Sequence, residues 1–281
     1  MRIKYSRIKM KRLLPRRKKD CHKGSVGKVL LLCGSEGFTG AATLAAMGAL
    51  RSGIGLAYLG VPRSIYPIAA VKLNEAVVFP LADQNGMMSK GAIEKIDAIL
   101  PSIDAVLIGP GIGLSLETEM VLLHVLSKFN GPLVLDADGI TLMKQHKDIL
   151  RDRAGQTILT PHAGEFSRFT GEKIVDRQEA TIKLAKDLNA IVVLKGHKTV
   201  ISDGTDYYIN QTGNPGMAVG GSGDVLAGII VSLLGQGMSA FDAAMFGTWV
   251  HGAAGDVCAR RMGQYGMLPT DMLNVLPRLM K

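Results

Sequence analysis

Gly216, Gly220, Gly221 and Gly223 lead up to a lone carboxylate, Asp224, and the apolar run Val225 to Leu234 follows it. Glycines let a ligand approach backbone amides closely, and the start of a helix adds unpaired N–H groups and a partial positive charge. That pairing suits a phosphate on which negative charge develops. Asp224 stands where loop becomes helix, so its carboxylate either caps the helix or takes a proton from a substrate hydroxyl. Phosphoryl transfer needs both an anion cradle and a group that handles the attacking hydroxyl. The plainer alternative is a glycine-rich turn with an Asp cap.

Other polar segments fall just after apolar runs. They are Gly34 to Gly40, Gly109-Pro110-Gly111-Ile112-Gly113, Asp136-Ala137-Asp138-Gly139, Thr160-Pro161-His162-Ala163-Gly164-Glu165 and Lys195-Gly196-His197-Lys198-Thr199. Asp136 and Asp138 are two apart, so in extended chain they face opposite ways and make a poor chelating pair. One is a candidate for Mg²⁺ through water, and capping at Asp138 is the competing role. His162 and Glu165, three apart, share one face of a helix start, either as ligand contacts or as a capping pair. Lys195 is a candidate phosphate cation or an exposed strand-end lysine. His124, His146 and His251 lack comparable context and read as surface or core residues. Neither Gly-x-Gly-x-x-Gly nor a Walker loop occurs, which disfavours a Rossmann dehydrogenase and a P-loop nucleotidase.

The elements that must carry these residues alternate along the chain. Strands are expected at 28–33, 56–61, 76–79, 105–109, 132–136, 157–159, 191–194, 199–203 and 207–210. Helices are expected at 40–52, 89–99, 116–127 and 176–188, with a helical tail from 223. The pattern is an α/β fold, a mainly parallel sheet with helices on both faces and an antiparallel edge formed by the last strands. Ligands of such sheets gather at the carboxyl ends of the strands, where all these segments lie.

Composition agrees with this. Of 281 residues 47% are hydrophobic and only 5% aromatic, and no run is long enough to cross a bilayer, so a soluble protein is expected. The net charge of +9 is concentrated at the start, where residues 1–19 hold ten basic side chains and no acid. Removing those ten from the 33 basic residues leaves 23 against 24 acidic ones, so a nucleic-acid-binding body is not expected. Residues 1–19 read as a solvated basic arm, with a targeting leader or a polyanion-binding arm as alternatives, and residues 20–281 as one domain. Three scattered cysteines, without a CxxC pair, point to a reducing, cytoplasmic setting.

Taken together, His22-Lys23-Gly24-Ser25-Val26-Gly27-Lys28, Gly40-Ala41-Ala42, Arg51-Ser52-Gly53, GPGIG, DADG, TPHAGEF, VVLKG and NPGMAVGGSGDVLAG resemble the NAD(P)H-hydrate dehydratase family, in order, from about residue 15 to the end. The resemblance implies a ribokinase-like fold and repair of NADHX and NADPHX, reduced nicotinamides damaged by hydration. The S epimer would be phosphorylated by ADP, or by ATP, with Mg²⁺, and would lose phosphate to restore the double bond. It implies Asp224 as the base and Gly220, Gly221, Ser222 and Gly223 as the anion hole. Lys195, Gly196 and Thr199 would meet the nucleotide. Ala41 or Ala42, Gly111 or Gly113, and His162 would line the hydrate pocket together with Asp224, and Glu165 would lie near Mg²⁺. A separate epimerase and a homo-oligomer belong to the same expectation, whereas membrane and nucleic-acid partners do not. The alternative is a kinase of the same fold acting on a small alcohol such as a thiamine precursor.

Overall fold

The computed structural model describes residues 1–3, 10–153 and 155–281. Its main sheet is built from β1 (Lys28–Leu32), β2 (Leu56–Pro62), β3 (Val77–Leu81), β6 (Ala105–Ile108), β7 (Leu133–Leu135), β8 (Thr157–Leu159), β9 (Ile191–Leu194), β10 (Val200–Ser202) and β11 (Tyr207–Ile209). A small hairpin, β4 (Asp83–Gln84) with β5 (Met87–Met88), stands apart from it. The nine strands run in the order β11-β10-β9-β8-β7-β6-β1-β2-β3. Pairing is parallel from β3 to β9 and antiparallel at β9–β10 and β10–β11. The expected strands are all present, and the antiparallel edge is where the sequence placed it.

Eleven named helices flank the sheet: α1 (Thr39–Arg51), α2 (Tyr66–Lys72), α3 (Ile93–Ile99), α4 (Leu116–Lys128), α5 (Asp138–Leu142), α6 (Lys147–Asp152), α7 (Ala163–Thr170), α8 (Arg177–Leu188), α9 (Ser222–Gly235), α10 (Ala240–Met262) and α11 (Pro269–Leu279). Helices α2, α5 and α6 were not foreseen. They have five to seven residues, too few turns for an apolar period to stand out.

Alternation along the strands assigns the two faces. Leu31, Leu59, Leu107, Val134 and Val193 pack with α1, α9, α10 and α11, through residues such as Ala45, Ile229, Phe246 and Leu276. Leu30, Leu32, Val106, Leu135 and Leu194 pack with α3, α4, α7 and α8, through Ile96, Val125, Phe169 and Leu184. Strands apolar on both faces are what a sheet covered on both sides requires. No helix among the described residues is long and apolar enough to cross a membrane.

The described part of the basic arm, read from sequence as solvated and partly ordered, is exposed at residues 15–19 and ordered against the fold elsewhere. Ile3 N–H donates to Tyr207 O at 2.8 Å, Met10 is fully buried in the core, and Arg17 donates to Gly53 O. Lys4, Arg7 and Lys9 lie outside the described residues. Charge counting saw the cations but had no means to see that Met10, Leu13 and Leu14 find apolar partners.

Candidate active site

Strand order reverses between β1 and β6, since the chain builds from β1 to β3 on one side and from β6 to β11 on the other. The crevice outside those two carboxyl ends is the default ligand site of an open α/β sheet. Two of the segments meet there. Gly34 N–H donates to Pro110 O at 2.8 Å, and Ser35 Oγ donates to Gly111 O at 2.7 Å. A Cβ on Gly111 would lie 3.1 Å from the Ala41 Cβ, so Gly111 and Ala41 share one wall. Ala42 is fully buried and faces the core instead. Gly113 N–H donates to Asp138 Oδ2 at 2.9 Å. Asp138 therefore braces the GPGIG loop and is not a helix cap; the cap position of α5 is Ala137.

Further along the edge, the ends of β7, β8 and β9 bring together charges that are far apart in sequence. Lys195 Nζ lies 2.7 Å from Asp136 Oδ1 and 3.8 Å from Glu165 Oε2. Thr160 Oγ1 donates to the same Asp136 oxygen at 2.7 Å. Burial pulls the Lys195 pKa down, but Asp136, Glu165 and Asp224 outweigh it, so the ammonium holds its proton more firmly than usual. The two aspartates do point apart, Asp136 to Lys195 and Asp138 to Gly113, but not by strand alternation: β7 ends at Leu135, Ala137 turns with φ +48 and Asp138 opens α5.

His162 and Glu165 form a capping box on α7. His162 Nδ1 accepts from Gly164 and Glu165 amides, and Glu165 Oε2 accepts from His162 N–H at 2.8 Å. The capping alternative is thus realised. It leaves the His162 ring about half exposed, with Nε2 3.4 Å from Glu165 Oε1. Nδ1 is thus taken up as an acceptor, and Nε2 is the ring nitrogen on the Glu165 Oε1 side. Thr199 Oγ1 accepts from Gly196 N–H and donates to Gly196 O at 2.9 Å, closing the Lys195–Thr199 loop upon itself.

The glycine-rich loop completes the site. Gly221 is the N-cap of α9 with φ +91, a left-handed position, and no side chain caps that end. The amides of Gly223 and Asp224 have no backbone acceptor among the described residues. A Cβ on Gly223 would lie 3.3 Å from Lys195 Nζ and 4.0 Å from Asp136 Oδ2, so the loop backbone rests against the ion pair. Gly220 sits in open space at the rim. Asp224 is the third residue of α9 and caps nothing. Burial, then the charge on Asp136, push its carboxyl up to about 6, against the pull of Lys195.

One residue was missed by sequence reasoning. His251 of α10 is buried behind the loop, 3.5 Å from Ser222 Oγ, and burial takes it down to about 4, so it is neutral. No local motif marks it; only the packing of α9 on α10 brings it there.

Residues 29–278 match the family model described as NAD(P)H-hydrate dehydratase. The chain belongs to the NAD(P)H-hydrate dehydratase family. It is 42% identical over 275 residues to the bifunctional NAD(P)H-hydrate repair enzyme Nnr of Moorella thermoacetica, covering 95% of this chain and 52% of that one. The chain thus spans about half the length of that relative. It is 34% identical to the ADP-dependent (S)-NAD(P)H-hydrate dehydratase of Cenarchaeum symbiosum, over 97% of this chain and 94% of the other. Among solved structures, the ADP/ATP-dependent NAD(P)H-hydrate dehydratase of Bacillus subtilis, co-crystallised with ATP/Mg²⁺, superposes with a TM-score of 0.84 at 32% identity, over 98% of this chain and 96% of that one. The ribokinase-like fold expected of this family is therefore present.

Proposed function

We propose that the chain carries out nucleotide-dependent dehydration of the S epimer of NADHX and NADPHX. The observation that carries this reading is the convergence of uncapped amides, Lys195 and a proton-accepting Asp224 beside the β1/β6 crevice. The hydrate would lie against Ala41, Gly111, Gly113 and His162, with its hydroxyl toward Asp224. The nucleotide would lie across Lys195, Gly196 and Thr199, with its terminal phosphate beside Gly220 and on the amides of Gly221 and Gly223. The Ser222 N–H, expected to share in the anion hole, is taken by Val219 O at 3.3 Å, and the Asp224 N–H is free in its place among the described residues. The names of the relatives support ADP or ATP as the donor.

Asp224 accepts the hydroxyl proton as the oxygen attacks the terminal phosphorus, and the nucleotide leaves one phosphate shorter. The phosphate ester then departs from carbon as a proton is lost from the neighbouring ring carbon, restoring the double bond. Phosphate is a far better leaving group than water, so one difficult elimination becomes two easier steps. Of the two protons released, one ends on the departing phosphate and one passes to solvent, so the net products from ADP are AMP, hydrogen phosphate, a proton and the reduced nicotinamide.

The donor set fits Mg²⁺. Among the described residues no three His, Cys, Asp or Glu side chains form a cage. Mg²⁺ commonly takes only one or two carboxylates and fills its shell with phosphate and water. Asp136 Oδ2 has no hydrogen bond from the described residues, whereas Glu165 is engaged in its capping box. We assign the closer contact to Asp136 and a water-mediated one to Glu165. When bound, the ion neutralises phosphate charge.

A partner epimerase, cytoplasmic residence and homo-oligomerisation belong to the same proposal. The bifunctional name of the Moorella relative supports the first. Three free cysteines support the second. Leu116 and Met120, exposed one turn apart on α4, support the third.

The test is recovery of the reduced-nicotinamide absorbance band from mixed R and S hydrates, with Mg²⁺ and either ADP or ATP. Partial recovery tied to nucleotide consumption supports the reading, and the faster nucleotide names the donor. No recovery with either overturns it and turns attention to small-alcohol phosphorylation.

A further inference from the structure

The cradle is strange for an anion site. Asp136, Asp138, Glu165 and Asp224 act on one another there, and Lys195 is the one cation acting on Asp224. Lys195 is already engaged by Asp136 at 2.7 Å. A nucleotide brings further negative charge, so additional positive charge has to face it. A single divalent ion offsets only part of that charge.

Arg177 is placed to supply the rest. It opens α8, and its Nη2 donates to Leu194 O at 2.7 Å and to Lys195 O at 3.0 Å, so the guanidinium lies at the carboxyl end of β9. A Cβ on Gly196 would lie 3.1 Å from Nη2 and 3.5 Å from Nη1, so the guanidinium fills the space beside the Gly196 backbone. Nε is buried without an acceptor, and no carboxylate among the described residues is within ion-pair distance. A guanidinium has five N–H donors, and carbonyls are recorded here only for Nη2. Burial lowers its pKa from the ordinary range, a cost that no carboxylate offsets. The side chain as a whole is only partly buried, but its Nε is fully so and has no acceptor among the described residues, and buried polar groups are normally hydrogen-bonded.

We propose that Arg177 is a second cationic contact for the phosphates of the nucleotide, acting from behind the Lys195–Thr199 loop. The inference rests on the nucleotide reading above. Arg177 holds the carbonyls of Leu194 and Lys195 in place, and its remaining donors and charge attract the phosphate chain. Its effect falls on nucleotide binding, because Arg177 does not touch the hydroxyl that reacts.

The experiment is calorimetric binding of Mg·ADP and Mg·ATP to the full chain at several salt concentrations, with nucleotide KM and kcat measured alongside. Wild type is compared with Arg177→Gln, Arg177→Met and Arg177→Lys. Either neutral variant suffices if the other does not fold, and thermal unfolding reports which do. Loss of one or two charge-assisted hydrogen bonds weakens nucleotide binding roughly ten- to a hundredfold. The expected result is a Kd raised by that factor in the neutral variants, kcat at saturating nucleotide changed far less, and a shallower dependence of log Kd on log salt. Arg177→Lys restores the salt dependence and part of the affinity. A folded neutral variant with wild-type Kd and salt dependence overturns the proposal. So does an equal loss in the Lys and neutral variants with unchanged salt dependence, which shows a mere prop for the loop. A wild type that binds neither Mg·ADP nor Mg·ATP sinks the nucleotide reading itself, an outcome distinct from both.

Discussion

Burial lifts the Asp224 carboxyl to about 6, so the fold prefers its protonated form over the ionised form that accepts a proton. An ordinary aspartate sits near 3.8. With the folded value above the unfolded one, the stabilising contribution is complete below 3.8 and is lost as pH rises through about 6. At neutral pH the ionised group therefore costs the fold on the order of 1–3 kcal/mol. Asp224→Asn is expected to unfold at a higher temperature than wild type at pH 7.5, with the gap closing toward pH 4. The same variant keeps nucleotide binding and loses roughly 10²–10⁴ in kcat, the usual share of a general base. Near-wild-type turnover sinks the assignment. In the wild type, kcat/KM should fall about tenfold per pH unit below about 6, because the base must be ionised. Asp136 plays a different part. Asp136→Asn leaves Lys195 buried without its 2.7 Å partner. The expected loss is about 2–4 kcal/mol in denaturant unfolding, together with weaker nucleotide binding.

At the scale of elements, α9 carries the amides of the proposed anion hole, and α1 packs closely against α9. Gly228 of α9 abuts the Ala45 carbonyl, and a Cβ on Gly48 of α1 would lie 2.6 Å from Val225 O. Small residues let the two backbones touch, which sets the height of Gly221 to Asp224 above the sheet. Overpacking that contact costs about 1–3 kcal/mol. Gly228→Ala should show that loss in urea and should also lower kcat/KM, since the helix moves as a unit. A stability loss with unchanged kcat/KM would show that the loop is positioned independently of α1. The Ala-rich and apolar character of both helices was legible in the sequence, but their mutual contact was not. It joins residues about 180 apart, and nothing local in either helix names its partner.

For the whole molecule, the N-terminal segment belongs to the fold. Met1 and Ile3 lie along β11, and Met10 is buried with the helices of one sheet face. Met10→Ala is expected to cost about 2–5 kcal/mol, the usual range for a buried methionine. In a chain of this size that corresponds to a fall in Tm of roughly 4–20 °C. Turnover at 25 °C should be unchanged, because Met10 is a core residue and none of the proposed site residues. A variant with wild-type Tm would restore the solvated-arm reading.

The sequence by itself determined the strands, the long helices, the antiparallel edge and the identity of the strand-end segments. These rest on local signals: apolar runs of strand length, three-to-four spacing, and Gly or Pro at the breaks. It left Asp136 and Asp138 open between a magnesium or hydroxyl contact and a cap, and His162 and Glu165 between ligand contacts and a capping pair. Only the tertiary structure showed the hydrogen bonds they make: Asp136 to Lys195 and Thr160, Asp138 to Gly113, and His162 with Glu165 in a capping box. Lys195 lies 59 residues from Asp136 along the chain, and α9 packs both on α1 and directly on β6, β1 and β7, so the charges that set the Asp224 pKa come from four separate strand ends or helix starts. Strand order, which no single segment encodes, placed them within reach of one another. Arg177 was in plain view as an ordinary basic residue at a helix start; its unpaired, buried Nε appears only once β9 and α8 are packed together.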